Sequence, residues 1–595
     1  MAKSNSKIQS LFLLLFLMTG FQIMSAQQIS ITGTVTDTTG EPLLGVSVTV
    51  PGTPTGVSTD LDGKFSINAD AKGKLKFSYI GYQAVEEPIN NRKVINVVME
   101  ENAEVLSEVV VIGYGTMDKK ELTSAISHVS EKDFLTVSSP DPKMLIQGKV
   151  PGVSITNTGA GDPNNMAGIQ IRGVSSRSAG LGPLIVIDGV PGGDLSNVNV
   201  NDIASFDILK DGAASAIYGT RGSNGVVVVT TKKGSKDGAV HTSYSATLSW
   251  DKAKKELDIM SAQDYRDVRL GWGDRGVDLG GNLDWLDAVT RTGFAMQHTL
   301  TISGGNENSN YRVTADYRDA NGIDLRSNRE EYGARASVMH TTKGGLFTIN
   351  MNVAPRIIYR DASDWSVFKD ALEANPTTPL MDPNDPSKYY DFFGQITGSN
   401  PVERQKLETD HADTKLLDWD GTVRLNLLPL LAKDGSSIHH LTTQIMFADH
   451  QYSHDNTWFR PSTSTQAIHN GHEGEGSRSY SKGRTFMVEW LTNYNARFAD
   501  KHNVKGMVGY SYQYERYSGF NAENKDFPND GLGADNLGSG EWAKEEGQVM
   551  MGSYKNDCKL ISFFGRVSYD YDGKYLFTAS LRHEGSSKFG KNHKW

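Results

Sequence analysis

From residue 240 onward, apolar and polar residues alternate strictly in segment after segment, and this constrains the chain more than any other feature. Tyr311, Val313, Ala315 and Tyr317 alternate with Arg312, Thr314, Asp316 and Arg318. Phe347, Ile349, Met351 and Val353 alternate with Thr348, Asn350 and Asn352. Ile561, Phe563, Val567, Tyr569 and Tyr571 do the same with Ser562, Arg566, Ser568 and Asp570. After the Asp572-Gly573 turn, Tyr575, Phe577, Ala579 and Leu581 alternate with Thr578, Ser580 and Arg582. Successive side chains of a strand point to opposite faces. Period two over ~10 residues therefore predicts a two-faced strand long enough to cross a membrane when tilted.

Eleven strands are predicted, near 240–250, 295–305, 311–320, 329–341, 346–358, 414–427, 437–449, 484–499, 503–516, 559–571 and 574–584. The gaps starting at 251, 359, 450 and 517 are long, those at 306, 342, 428, 500 and 572 short, and 321–328 is intermediate. Long and short connections at opposite ends are the asymmetry of an outer-membrane barrel, which a soluble sandwich has no reason to show. Average hydropathy does not contradict this. A mean hydropathy of −0.42, with 38% hydrophobic residues, is what lumen-facing polar residues leave behind. No apolar run after residue 30 reaches the ~18 residues of a membrane helix. The 61 Gly, 23 Tyr and 22 Phe suit many turns and aromatic girdles.

Lys3 and Lys7, the apolar stretch Leu11–Met18 and Met24-Ser25-Ala26 predict a secretory signal peptide over 1–26. Cys558 is the single cysteine, so no intramolecular disulfide forms. The formal charge of −10 is diffuse and argues against nucleic acid as a partner.

Residues 28–100 predict a small β-sandwich. Thr32–Asp37, Val46–Val50, Lys64–Ile67, Lys74–Phe77 and Val94–Val98 are short strands about ten residues apart, with Gly and Pro between them. Thr59-Asp60-Leu61-Asp62-Gly63 reads as a hairpin turn and not a calcium loop, because Gly and Glu are missing from the required sixth and twelfth positions. Residues 101–118 form a tether. Its β-prone run Glu108-Val109-Val110-Val111-Ile112-Gly113-Tyr114-Gly115 is a candidate edge strand for pairing with a partner.

Residues 119–236 predict a compact α/β segment. Strands are expected at Ile169–Gly173, Leu184–Pro191 and Gly225–Thr231, a capped helix over Asn201–Leu209 and a helical turn over Ala213–Tyr218. The blocks LIQGKVPGVSI, IQIRGVSS, PLIVIDGVP and DILKDGAASAIYGTRGSNGVVVVTTKKG resemble the plug of TonB-dependent receptors. ITGTVTD, PLLGVSVTV and TDLDGKFSI resemble the carboxypeptidase regulatory-like domain, and with EVVVIGYG between them the order is similar to the SusC/RagA family.

The resemblance implies a mainly β fold: an N-terminal β-sandwich, an α/β plug, and about half of a 22-stranded antiparallel transmembrane β-barrel over 240–595. An open half-barrel leaves two unpaired edges in lipid at a cost of tens of kcal/mol, so Trp595 is expected to be a truncation point. It also implies active import across the outer membrane, with ligand captured beneath a SusD-like surface lipoprotein. Oligosaccharide is the expected cargo, with peptide, or a sensor that does not transport, as alternatives. TonB, energised by its inner-membrane proteins, would engage Glu108–Gly115. Plug residues Arg172, Asp188 and Arg221 are expected to pair with charges on the barrel wall and hold the plug shut.

No enzyme motif competes. HExxH, GxSxG and a GxxxxGK followed by Ser or Thr are missing, and Gly159-Ala160-Gly161 precedes Asp162-Pro163 rather than a helix. No cofactor or metal is expected. His439-His440 reads as an exposed pair, and Asp382, Asn384 and Asp385 as a rigid polar loop. Trp365, Tyr389, Tyr390, Phe392 and Phe393 read as packing of that same loop, with stacking on sugar rings the alternative.

Overall fold

The computed structural model describes residues 28–595 except 39, 44, 52–54, 80–81, 83, 101–108, 112–115, 119–124, 136–138, 175–179, 255–256, 269–276, 396–397, 429–438, 500, 546–547, 549 and 591. The signal-peptide region lies outside the described residues, as do Glu108 and Ile112–Gly115 of the tether.

The N-terminal β domain packs a three-stranded sheet against a four-stranded one. In the first sheet, Gln28–Asp37 lies between Lys64–Asp70, antiparallel, and Val97–Met99, parallel. Alternation puts Ile31, Val35, Ile67, Leu75, Phe77, Val97 and Met99 into one core. The expected hairpin at 59–63 needs correction. The segment is a turn, with the Asp60 carboxylate accepting the Asp62 and Lys64 amides at 3.0 and 2.8 Å. It links Gly56–Ser58 to Lys64–Asp70, which belong to different sheets, so it is a crossover and not a hairpin. The short Gly56–Ser58 strand pairs with Ser47–Thr49 instead.

The plug is built on a five-stranded mixed sheet in the order Ile126–Ser130, Ile203–Leu209, Val226–Thr231, Leu184–Ile187, Val190–Pro191. Val226–Val229 is buried on both faces, as the second and third strands of a covered sheet must be. The helix expected over Asn201–Leu209 is a strand preceded by the 3-10 turn Val200–Asp202. Its apolar run Ile203, Phe206, Ile208 and Leu209 is buried from two sides. With Ser205 and Asp207 between them, these residues show no period that separates strand from helix; pairing with Val226–Thr231 decides it. Gly212–Ser215 and Ala216–Gly222 form the helical turn.

Eleven antiparallel strands then form one open sheet in chain order: Val240–Asp251, Gly293–Gly305, Ser309–Asn321, Asn328–Thr341, Phe347–Asp361, Thr409–Asn426, His439–Arg460, Glu475–Phe498, His502–Lys525, Met551–Tyr571 and Tyr575–Ser586. Three strands run to 22, 24 and 24 residues, about twice the ~9–11 that a bilayer needs. Their ladders continue into the region the sequence assigns to long loops. Those loops carry Ser366–Glu373, Pro401–Leu407 and a ribbon of Met381–Asp382 with Asp385–Tyr389. Trp285, Phe392 and Val402 share a core there, which answers for several of the loop aromatics. Asp382 and Asp385 accept the Asn384 and Ser387 amides.

The two faces of the sheet differ. Ala448 and Met487 pack with plug Val190, and Leu491, Met507 and Phe564 with plug Ile217 and Tyr218, which marks the inner face. Positions an odd number of residues away point outward. Val423, Ile445, Phe447, Trp490, Val508, Phe563 and Val567 are such positions, and all are exposed. On one strand the outward run Phe486, Val488, Trp490, Thr492, Tyr494 covers about 26 Å at ~3.3 Å per residue. Rings cluster near the short-turn end, with His439 on Tyr494 and His502 on Tyr569 at centroid separations of 6.1 and 6.0 Å. No helix among the described residues is long and apolar enough to cross a membrane.

Candidate functional site

The plug meets the sheet through buried charges and amides. Asp202 ends the 3-10 turn that Asn199 caps, which aims its carboxylate at the wall. Arg312 donates to it through Nε and Nη2 at 3.0 and 2.9 Å, and Thr314 Oγ1 donates at 2.7 Å. The Asp202 side chain is 2% exposed, so this pair is charge-assisted and sheltered from solvent. Asn197 Nδ2 donates to Ala354 O and to the Asp418 carboxylate at 3.0 and 2.7 Å.

Asp188 sits in the Asp188-Gly189 turn, both residues at positive φ, the geometry of a tight two-residue hairpin. Its carboxylate accepts the Thr231 amide and hydroxyl and pairs with Lys233 at 3.2 Å and, on the wall, Arg335 at 3.1 Å. Burial pushes its pKa up. The Lys233 and Arg335 charges and the Thr231 bonds outweigh that and hold the carboxyl below the usual carboxylate range.

Arg221, on the 3-10 segment Ala216–Gly222, donates through Nη1 to the Gln513 carbonyl oxygen on the wall. Its wall hydrogen-bond partner is thus a neutral amide, where the sequence suggested a charge. Next to it Thr220 donates its amide and hydroxyl to Glu584 at 3.2 and 2.8 Å, and Arg582 donates to Ile217 O at 2.7 Å. Gly219 makes this approach possible: at φ 68° it is in the left-handed region, and a Cβ there would lie 2.8 Å from Arg582 Nε. Arg172 is the exception. It follows the Gly168–Ile171 strand at φ 55° with its side chain exposed, and it has no ion pair among the described residues. Among the described residues it makes no side-chain hydrogen bond or ion pair with the sheet. Asp202, Asn197 and Thr220 are the contacts that sequence reading missed. The only signal was an Asx-type cap residue, which is common in any turn.

Beyond the plug surface, a cavity of about 570 Å³ opens between plug residues Gly192 and Asp194 and wall residues Arg360, His454, Tyr452 and Tyr517. Gly483 lets the Tyr452 ring lie flat on the neighbouring strand, since a Cβ would come within 2.2 Å of it. The Tyr452 and Tyr517 rings are 6.4 Å apart. Of the tether, Val109–Val111 forms a two-stranded ribbon with Thr116–Asp118.

A plug tied by buried ion pairs to the inner face of a long antiparallel sheet defines the class of plugged β-barrels. Residues 31–111 match the CarboxypepD_reg-like domain and residues 118–226 the TonB-dependent Receptor Plug Domain. With these two domains and its curated relatives, the chain is a homologue of TonB-dependent receptors of the SusC type. It is 32% identical to TonB-dependent receptor SusC of Bacteroides thetaiotaomicron over 96% of this chain and 58% of that protein. It is 31% identical to TonB-dependent receptor P3 of Formosa agariphila over 100% of this chain and 58% of that protein. The chain thus spans a little over half the length of these curated relatives. Among solved structures, the RagAB peptide importer in the open-open state shares the fold at a TM-score of 0.67. That match has 21% identity and covers 82% of this chain and 57% of the other.

Proposed function

We propose that this chain acts in the bacterial outer membrane as a TonB-dependent importer of oligosaccharides, working with a SusD-like surface lipoprotein. The observation that carries the reading is the plug's attachment: Asp202 on Arg312 and Asp188 on Arg335 are buried pairs that close a lumen and can be pulled apart. Removing one partner of such a pair strands a buried charge, so the seat is firm at rest and lost as a unit under force. The exposed apolar band with aromatic clusters at its border supports placement in a lipid wall, reached by way of a signal peptide over 1–26.

TonB engages the tether at Glu108–Gly115 by strand addition, for which Val109–Val111 is already extended. The Tyr452 and Tyr517 rings with the polar groups of the 570 Å³ cavity suit a sugar ring, which offers one face for stacking and hydroxyls for hydrogen bonds. Uptake of fluorescent oligosaccharides by cells carrying the full chain tests this. Deleting Val109–Val111 should abolish uptake while leaving the protein in the outer membrane. Uptake that persists after the deletion sinks the TonB reading, and uptake of labelled peptides alone replaces the sugar cargo by peptide.

A further inference from the structure

The outward face of five consecutive strands carries a charge pattern that a purely lipid-facing wall does not need. Lys415, Ser453, Lys482, Ser518 and Lys555 stand directly opposite one another in the ladder. With strands ~4.8 Å apart, the lysines recur about every 10 Å with a serine hydroxyl between each pair. The alternation that turns Ala448, Met487 and Met507 inward turns all five outward. One step toward the apolar band, Arg484 and Arg516 are direct cross-strand partners. Like charges so placed destabilise a sheet unless an anion lies between them. Arg484 has Asp449 at 2.8 Å. Among the described residues, Lys415, Lys482 and Lys555 have no carboxylate partner, while Arg516 stands opposite Asp557 on the next strand.

Two further features set the depth and shape of this surface. Arg484 lies over the Phe486 ring and Arg516 over the Tyr514 ring, each at 5.9 Å, so the cations begin where the apolar band ends. Lys415, Lys482, Arg484 and Arg516, with Tyr480, line a recess of about 410 Å³. A cation on the lipid face is costly in mid-bilayer and nearly free at the interface. That explains why these residues are tolerated there, but not why they are arrayed in register with hydroxyls between them.

We propose that this row docks the phosphorylated headgroup of an outer-leaflet lipid, an inference that rests on the membrane reading above. Phosphate oxygens accept charge-assisted bonds from the lysines and the two guanidiniums, and from the serine hydroxyls. The acyl chains lie along Phe486, Tyr512 and Tyr514 on the same face. A free phosphate ion would use the cations and leave that apolar continuation idle.

The full chain, extracted from outer membranes in mild detergent, is titrated with lipid A and with phosphatase-treated lipid A while bound lipid is counted by native mass spectrometry. The phosphorylated lipid should bind at least about tenfold more tightly. The K415Q/K482Q/R516Q variant should lose that preference, and K343Q/K501Q/K574Q, with cations removed from the short-turn end, should keep it. Heat-modifiable gel mobility verifies that both variants fold. Equal affinity for the two lipids, an unchanged preference in the first variant, or displacement by inorganic phosphate at the lipid's own concentration each overturns the proposal. Absence of the wild-type chain from the outer membrane would overturn the membrane reading and the headgroup site together. An inserted chain without phosphate preference removes the headgroup site alone.

Discussion

The plug sheet and the eleven-stranded sheet use the same residue types to opposite ends. In the plug, Val226–Val229 is buried on both faces, Asp188 and Asp202 place their charges in turns, and Asp207, inside the neighbouring strand, is paired with His128. In the large sheet every strand is split lengthwise. One face meets the plug with Arg312, Arg335 and Asp418, and the other exposes Val508, Phe563 and Val567. Burial on two sides favours a continuous apolar run, and burial on one side, or in lipid, favours alternation. The same physics therefore gives two sequence signatures, and only the alternating one has a period.

Mutations that treat the two sheets alike should separate them. Val228→Asp puts an unpaired charge in the plug interior and should cost more than about 4 kcal/mol. The plug should become protease-sensitive while the large sheet keeps its gel mobility, and protection of the plug would break the comparison. Arg312→Ala strands the Asp202 carboxylate and should cost about 3 kcal/mol, read as easier extraction of the plug by pulling on the tether. Val508→Arg, on the outward face, should lower membrane assembly by about 2 kcal/mol and leave plug protection unchanged.

The smallest effect is the pH dependence of Asp188. Its folded pKa lies below the unfolded value, so its contribution is present above about pH 4 and lost as pH falls through the folded value. Plug protection should weaken on acidification below about pH 4, and Asp188→Asn should flatten that part of the profile. A profile unchanged by Asp188→Asn would mean that the Arg335 contact does not govern the seat.

Much of the fold was legible because alternation is a local property. Each of the eleven strands lies where period two placed it, and the Asp572-Gly573 turn is at positive φ as its residues demand. Two readings failed where the deciding contact is distant. Ile203–Leu209 has no period, and the strand at Val226–Thr231 makes it a strand. The Asp60 turn carries its own carboxylate–amide bonds, yet whether it is a hairpin depends on which sheet the next strand joins. Of the three suggested plug contacts, Asp188 faces a wall charge, Arg221 donates to an amide, and Arg172 faces solvent.

The sequence by itself determined which segments of the large sheet are strands, which face of each is apolar, and the family its plug motifs resemble, since all of these are written within runs of about ten residues. Tertiary structure alone decided that Asp202 meets Arg312 and that Lys415, Lys482 and Lys555 share one row. Register across strands is set by chain closure over tens to hundreds of residues. A shift by one residue would send every side chain to the other face.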